Sequence, residues 1–400
     1  MRCLPLRFAT VLCMLSASLA GAQGNAPASA RARDLGVPFD GTPGALNAIT
    51  DVPGVEVGST TLIQGEGKLK VGEGPVRTGV TVILPRGRTN ADAVYAGWFS
   101  LNGNGEMTGT TWVEESGFLN GPVALTNTHS VGTVRDSVIA WALKSGFLHE
   151  DEWSLPVVAE TWDGWLNDIN GFHVKAEDVF AALNDAKGGP VAEGNTGGGT
   201  GMICYGFKGG TGTASRVLSK DAGGYTVGVL VQCNCGRRPQ LMIAGVPVGK
   251  EIRANVPHAR NDLPGSNVVP PGDETRGDVG SIIIVIATDA PLLPHQLKRL
   301  ARRAAMGLAR TGSVSSNSSG DIFIAFSTAN PHADAAPGPN TVQTVSNERI
   351  SPLFTAAVEA TEEAIVNAMV GAKTMTGIEG RTVIALPHDQ LQQVMKKYGR

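Results

Sequence analysis

The sequence predicts an α/β protein, and three observations carry that prediction. Short aliphatic runs bounded by turn residues recur along the chain, the clearest being Ile282 to Ile286 directly after Gly280-Ser281; such runs read as buried strands. Other segments repeat their apolar residues at helical spacing, as Leu297, Leu300, Ala304 and Leu308 do, with Lys298, Arg299, Arg302 and Arg303 mostly on another face. The 52 glycines of the 400 residues fall in loop clusters with no fixed period, which excludes collagen-like and repeat architectures.

The first residues read as an export signal. Arg2 and Arg7 form a positive start, Phe8 to Leu19 an apolar stretch, and Ala20-Gly-Ala22 a small-residue cleavage site. The stretch is too short to span a bilayer. Residues 1–22 are therefore expected to be removed, leaving about 378 of 400 residues, with a disordered leader over 23–35. The expected location is the periplasm. A net charge of −3 and 17% charged residues leave no strong field of either sign, so neither nucleic acid nor a membrane is an expected partner. Cys204, Cys233 and Cys235 remain after the signal; an odd count without a C-x-x-C pair argues against a disulfide scaffold or a zinc site and for packed thiols.

In chain order, Asp51–Gly58 and Gly79–Leu84 read as early strands, and Ala96–Gly109 as a loop rich in glycine and asparagine. Val134–Leu143 is a helix, preceded by Asn127 and His129, which either cap it or line a site. Leu155–Gly164 is a strand ending in a polar turn; its Glu160 is either a buried carboxylate awaiting a cation or a strand-end glutamate facing water. Val174–Lys187 is a helix. Glu193–Gly201 has no Gly-Lys-Ser/Thr after it and no Rossmann spacing, so it is a tight loop where backbones approach, not a phosphate cradle. Tyr225–Asn234 is a strand that turns Asn234 away from Cys233 and Cys235, and Arg237-Arg238 either cap its exit or sit in a solvated turn.

Residues 255–278 form a proline- and glycine-rich polar linker, the one soft joint in the chain. It runs into Ser281 at the mouth of a rigid strand. A hydroxyl held there is well placed to be a nucleophile, and a chain break after Gly280 would give Ser281 an α-amine as its own base. Gly-Ser before a strand is also an ordinary loop end, so this pair alone does not decide. Beyond it, the basic face of the 297–308 helix reads as solvated, and Ser313–Ser319 is a serine-rich turn leading into the strand Ile322–Phe326. Ser351–Val370 is a helix stopped by Gly371, and Arg381–Leu386 a final strand.

Several stretches together resemble one family, that of the L-aminopeptidase/D-esterases and β-peptidyl aminopeptidases. They are Thr126–Gly132, Ala159–Gly164, Gly197–Met202 with Phe207–Gly210, Val231–Arg238, the Gly280-Ser281 junction and Ser319–Thr328, in family order over nearly the whole mature chain. The resemblance implies a four-layer αββα sandwich, autoprocessed into a large chain (36–280) and a small chain (281–400) that stay associated, often as a tetramer of such pairs. It implies that Ser281 is the nucleophile, that Ser319 and Asp321 orient it, and that Asn234 donates to the oxyanion. Glu160 would hold the ammonium of a peptide, amide or ester substrate, beside Trp162, where some relatives carry a tyrosine. No metal or cofactor is called for. Within the same scaffold, an L-aminopeptidase/D-amino-acid esterase-amidase is the nearest alternative to a β-peptidyl aminopeptidase. A self-processing acyltransferase is a further one, although those process at threonine. An exported binding protein, without chemistry, would keep one intact mature chain.

Overall fold

A computed structural model describes residues 30–253, 280–335 and 338–400. The export signal, the leader up to residue 29 and the 255–278 linker lie outside the described residues. Strands β1 (Glu56–Gln64), β2 (Val76–Leu84), β3 (Val94–Ser100), β4 (Phe118–Leu119), β5 (Val123–Asn127) and β6 (Val157–Thr161) come first. Then follow β7 (Ile203–Cys204), β8 (Phe207–Lys208), β9 (Gly210–Val217), β10 (Thr226–Asn234), β11 (Ser281–Thr288), β12 (Ile322–Ser327), β13 (Met375–Thr376) and β14 (Thr382–Val383). One sheet is ordered β1-β2-β5-β6 and the other β4-β3-β12-β11-β10-β9; β7–β8 and β13–β14 are separate ribbons. The helices are α1 (Thr110–Ser116), α2 (Val131–Ser145), α3 (Ala176–Asn184), α4 (Val248–Glu251), α5 (Pro294–Arg310), α6 (Ser351–Val370) and α7 (His388–Lys397).

Three apolar layers between these elements make the αββα sandwich. Val80, Val82 and Val158 of the first sheet pack on Val134, Val138, Val179 and Leu183 of α2 and α3. Ile83, Leu125 and Ala159 meet Leu230, Ile283, Val285 and Ile324 between the sheets. Ile282, Ile284, Ile286 and Phe323 face Leu297, Leu300, Ala357 and Ala364 of α5 and α6. β11 is thus buried on both faces, which is why its sequence is continuously aliphatic instead of alternating. Each buried isoleucine contributes about 1.5–3 kcal/mol relative to exposure, so the strand that begins with Ser281 is among the most firmly held parts of the fold.

Several elements depart from the sequence expectations. The 96–109 segment is not all loop: its first residues belong to β3, with Gly97 lying so close to α5 that a Cβ would strike the Lys298 backbone. β9 was not expected, since its Gly-Thr-Gly-Thr-Ala start carries no aliphatic run; α6 packs there so tightly that a Cβ on Gly212 would strike the Ala364 carbonyl. The expected final strand over 381–386 shrinks to Thr382–Val383. The leader is ordered earlier than expected, because Ala32 is buried and Arg31 and Arg33 pair with Glu193 and Glu363 at 2.8 Å each. Arg238 is not in a solvated turn. It is buried with its guanidinium 3.2 Å above the Phe207 ring and donates to the Tyr205 and Gly206 carbonyls.

Candidate active site

Register assembles the site. β10 and β11 pair antiparallel with Asn234 opposite Ser281, and β11 and β12 pair parallel with Ile283 opposite Ile322. Two residues further back, this parallel register sets Gly320 beside Ser281, and the Gly320 N–H donates to Ser281 Oγ at 3.1 Å. Ser281 is only 6% exposed. Gly280 is pressed against β10, where a Cβ would lie 2.8 Å from Cys235 Cα.

Ser319 and Asp321 flank Gly320, both fully buried, and the Ser319 hydroxyl donates to Asp321 Oδ1 at 2.7 Å. The same oxygen accepts from the Ile282 N–H at 3.2 Å, so the Ser319–Asp321 pair is fastened to the strand that Ser281 begins. On the other strand, Asn234 Oδ1 accepts from the Ile203 N–H at 2.8 Å. That bond commits the carbonyl end of the amide and leaves its NH2 as the group to offer a ligand.

Glu160 ends β6, 4% exposed. Its Oε2 accepts from the Thr128 hydroxyl and its Oε1 from the Glu106 N–H at 3.0 Å. A Cβ on Gly105 would lie 3.3 Å from both Glu160 Oε1 and the Gly320 carbonyl, so one glycine's width separates the carboxylate from the loop that touches Ser281. Burial pushes the Glu160 carboxyl above its usual range, and the Thr128 and Glu106 donors pull it partly back. Its reading as a water-facing strand end is therefore set aside. Trp162 joins at one remove: it is half-buried against Trp165, Leu166, Ile203, Met375 and Val383, and Ile203 is the residue that holds Asn234. Asn127 caps the turn before α2, accepting from His129 and Ser130 N–H groups.

Other members of the site carried no individual signal in the sequence. Asn102 Oδ1 accepts from the Asp321 N–H at 2.8 Å while its NH2 donates to the Ser315 and Ser316 carbonyls. Gln232 is on the same face of β10 as Asn234 and ties the sheets together, donating to the Thr126 carbonyl and the Thr161 hydroxyl, each at 2.8 Å. Asp163 and Lys208 are both buried, and that burial drives the carboxyl up to about 7 and the ammonium down to about 7. Asp163 is held by the Asn167 amide at 3.0 Å, and Lys208 donates to the Met202 and Gly209 carbonyls.

Residues 47–383 match the family model for peptidase family S58. The chain belongs to that family. A β-peptidyl aminopeptidase, BapA, of Sphingosinicella microcystinivorans is 56% identical over 401 residues, spanning 99% of this chain and 98% of the relative. The solved structure of an L-aminopeptidase D-Ala-esterase/amidase from Ochrobactrum anthropi, a prototype serine aminopeptidase with a variant of the Ntn-hydrolase fold, is similar with a TM-score of 0.83 and 48% identity, covering 92% of this chain and 99% of that one. A Burkholderia sp. β-aminopeptidase is similar at TM-score 0.81 and 48% identity, covering 93% and 99%. As an S58 peptidase with the Ntn-hydrolase fold, the protein is an N-terminal-nucleophile aminopeptidase, in agreement with the fold and family that its motifs imply.

Proposed function

We propose that this S58 peptidase cleaves itself between Gly280 and Ser281 and then removes N-terminal residues bearing a free amine, β-residues foremost. The single observation that carries the reading is the convergence on Ser281 of Asn234, the Ser319–Asp321 pair and the Glu160 carboxylate. In processing, Ser281 Oγ attacks the Gly280 carbonyl and the C–N bond breaks, so that the amide becomes an ester and the Ser281 α-amine is freed. Water then hydrolyses the ester to a Gly280 carboxylate and the Ser281 hydroxyl. In turnover that amine takes the hydroxyl proton while Oγ attacks the substrate carbonyl. The Asn234 NH2 is aimed at the developing oxyanion, a role typically contributing ~3 kcal/mol. The leaving amine departs with the proton, and water frees the acyl group.

Glu160, ionised, pairs with the substrate ammonium and fixes which end of a peptide enters. The similarity to β-aminopeptidases and the apolar Trp162 wall favour β-alanyl-type donors; the similarity to the Ochrobactrum enzyme supports L-aminoacyl and D-alanyl amides and esters as the second reading. Export rests on the signal-like first 22 residues, and a homo-oligomer of processed pairs on the family resemblance. Purified protein should run as two fragments on a denaturing gel, the smaller beginning Ser-Ile-Ile-Ile, and Ser281→Ala should stay whole. Side-by-side turnover of β-alanyl, L-alanyl and D-alanyl amides ranks the donors; preference for an α-residue removes the β-peptide assignment, and efficient cleavage of Ser281→Ala removes the mechanism.

A further inference from the structure

Three cysteines that this chemistry does not use converge directly behind the site. Cys204 ends β7, Cys233 lies in β10 and Cys235 follows it; all are buried, with their sulfurs within 4.8 Å of one another. Cys233 and Cys235 flank Asn234 but face the α6 side of the sheet. Cys204 directly follows Ile203, whose N–H holds Asn234 Oδ1. Cys204 and Cys233 therefore bracket the hydrogen bond that holds the carbonyl end of the Asn234 amide.

The arrangement is unequal. Cys204 Sγ is 2.6 Å from Cys233 Sγ, whereas Cys235 Sγ is 3.7 Å from each. Unbonded heavy atoms pack at about 3.5 Å or more, so the close pair cannot persist as two thiols without moving apart. A cation bound at ~2.3 Å by three thiolates needs all three sulfurs spread nearly 4 Å apart, which the close pair does not meet. We propose that Cys204 and Cys233 form a disulfide that clamps β7 to β10 and so positions the Asn234 amide, with Cys235 remaining a thiol. In its formation two S–H bonds break and one S–S bond forms; two electrons and two protons pass to a disulfide-bearing oxidant, which leaves as two thiols. Cys235 is buried, and a thiol buried in apolar surroundings is a poor nucleophile toward the link.

The link is independent of the function proposed above, while its effect on turnover rests on the role given there to Asn234. Full-length enzyme, purified without reductant, is denatured with an alkylating agent present and mapped by peptide mass spectrometry. The expected map shows the Cys204 and Cys233 peptides joined and Cys235 alkylated. Alkylation of all three cysteines, with or without zinc released on denaturation, overturns the proposal whether or not the enzyme turns over. For positioning, treatment of native enzyme with reductant should lower kcat about tenfold, a fraction of what loss of an oxyanion donor costs, with KM unchanged, and Cys204→Ser should reproduce that value while Cys235→Ser does not. A reduced enzyme with lower thermal stability but unaltered kcat overturns the positioning role. Joined peptides in a protein that hydrolyses nothing would instead count against the proposed function alone.

Discussion

In the proposed role of ammonium partner, Glu160 would set both substrate choice and pH response. Its two oxygens are occupied by the Thr128 hydroxyl and the Glu106 N–H, and burial raises its pKa. A substrate ammonium favours the ionised form, so kcat/KM for free-amine substrates should fall at weakly acidic pH, earlier than an ordinary carboxylate would dictate. Glu160→Gln should abolish that limb and lower kcat/KM for free-amine amides by ~10²-fold, as expected for losing a charge-assisted contact of about 2–3 kcal/mol. N-acetylated substrates should be near-inert with either enzyme. Asp163 makes a different prediction. Its carboxyl rises from 3.8 to about 7 on burial, so between those values the folded protein keeps a proton that the unfolded chain has lost. Stability from this group therefore falls as pH rises through that window. Lys208, lowered from 10.5 to about 7, acts oppositely above 7, where the unfolded chain holds the extra proton and stability rises with pH. Asp163→Asn should flatten the decline in thermal midpoint from about pH 4 to 7; an unchanged profile would remove Asp163 as its source.

At the scale of elements, the site depends on a loop-to-turn clamp. The 101–104 loop grips the Ser313–Ser319 turn through Asn102 and Asn104, whose amides donate to the Ser315, Ser316 and Ser318 carbonyls, while the Asn104 N–H donates to the Ser319 carbonyl. This sets Asp321 and the Gly320 N–H against Ser281. Ser319→Ala and Asp321→Asn should each lose ~10²-fold or more of hydrolysis, and Asn102→Ala about tenfold through misplacement alone. Near-normal turnover in the first two would reduce Ser319–Asp321 to a turn. The long β10, β11 and β12 strands and the α5 and α6 helices were legible because burial imposes a period on their residues. The placement of Ser281, Asn234 and the Ser319–Asp321 pair at strand ends was legible because each lies beside an aliphatic run. β9 and the 96–100 part of β3 were not, since glycine there admits a helix backbone and erases the apolar pattern. Asn102 and Gln232 escaped notice for another reason: their partners are distant backbone groups that no local spacing announces.

On the scale of the whole molecule, the order β4-β3-β12-β11-β10-β9 decides what the proposed processing would do to the protein. β11 and β12 of the 281–400 piece lie between β3 and β10 of the other piece, and α5 and α6 cover the same sheet. Cleavage after Gly280 would therefore leave no seam along which the halves can part. The two fragments should co-elute under native conditions at any salt concentration, since apolar burial and ladder hydrogen bonds are little screened, and separate only in denaturant. Elution of the fragments as separate species in native buffer would contradict this.

The interleaved sheet would also change what unfolding means if the chain is cut as proposed. Before cleavage the folding reaction is first-order, because every strand is tethered to its neighbours. Afterwards, losing the fold releases two molecules, and regaining it requires them to meet with β3 and β10 held open for a pair of central strands. Recovery would then depend on concentration, with each half exposing strand edges open to pairing with the wrong neighbour. The mature enzyme would thus persist by slow unfolding more than by favourable equilibrium. Its working lifetime would be spent on a single folding event, completed while it was still one chain.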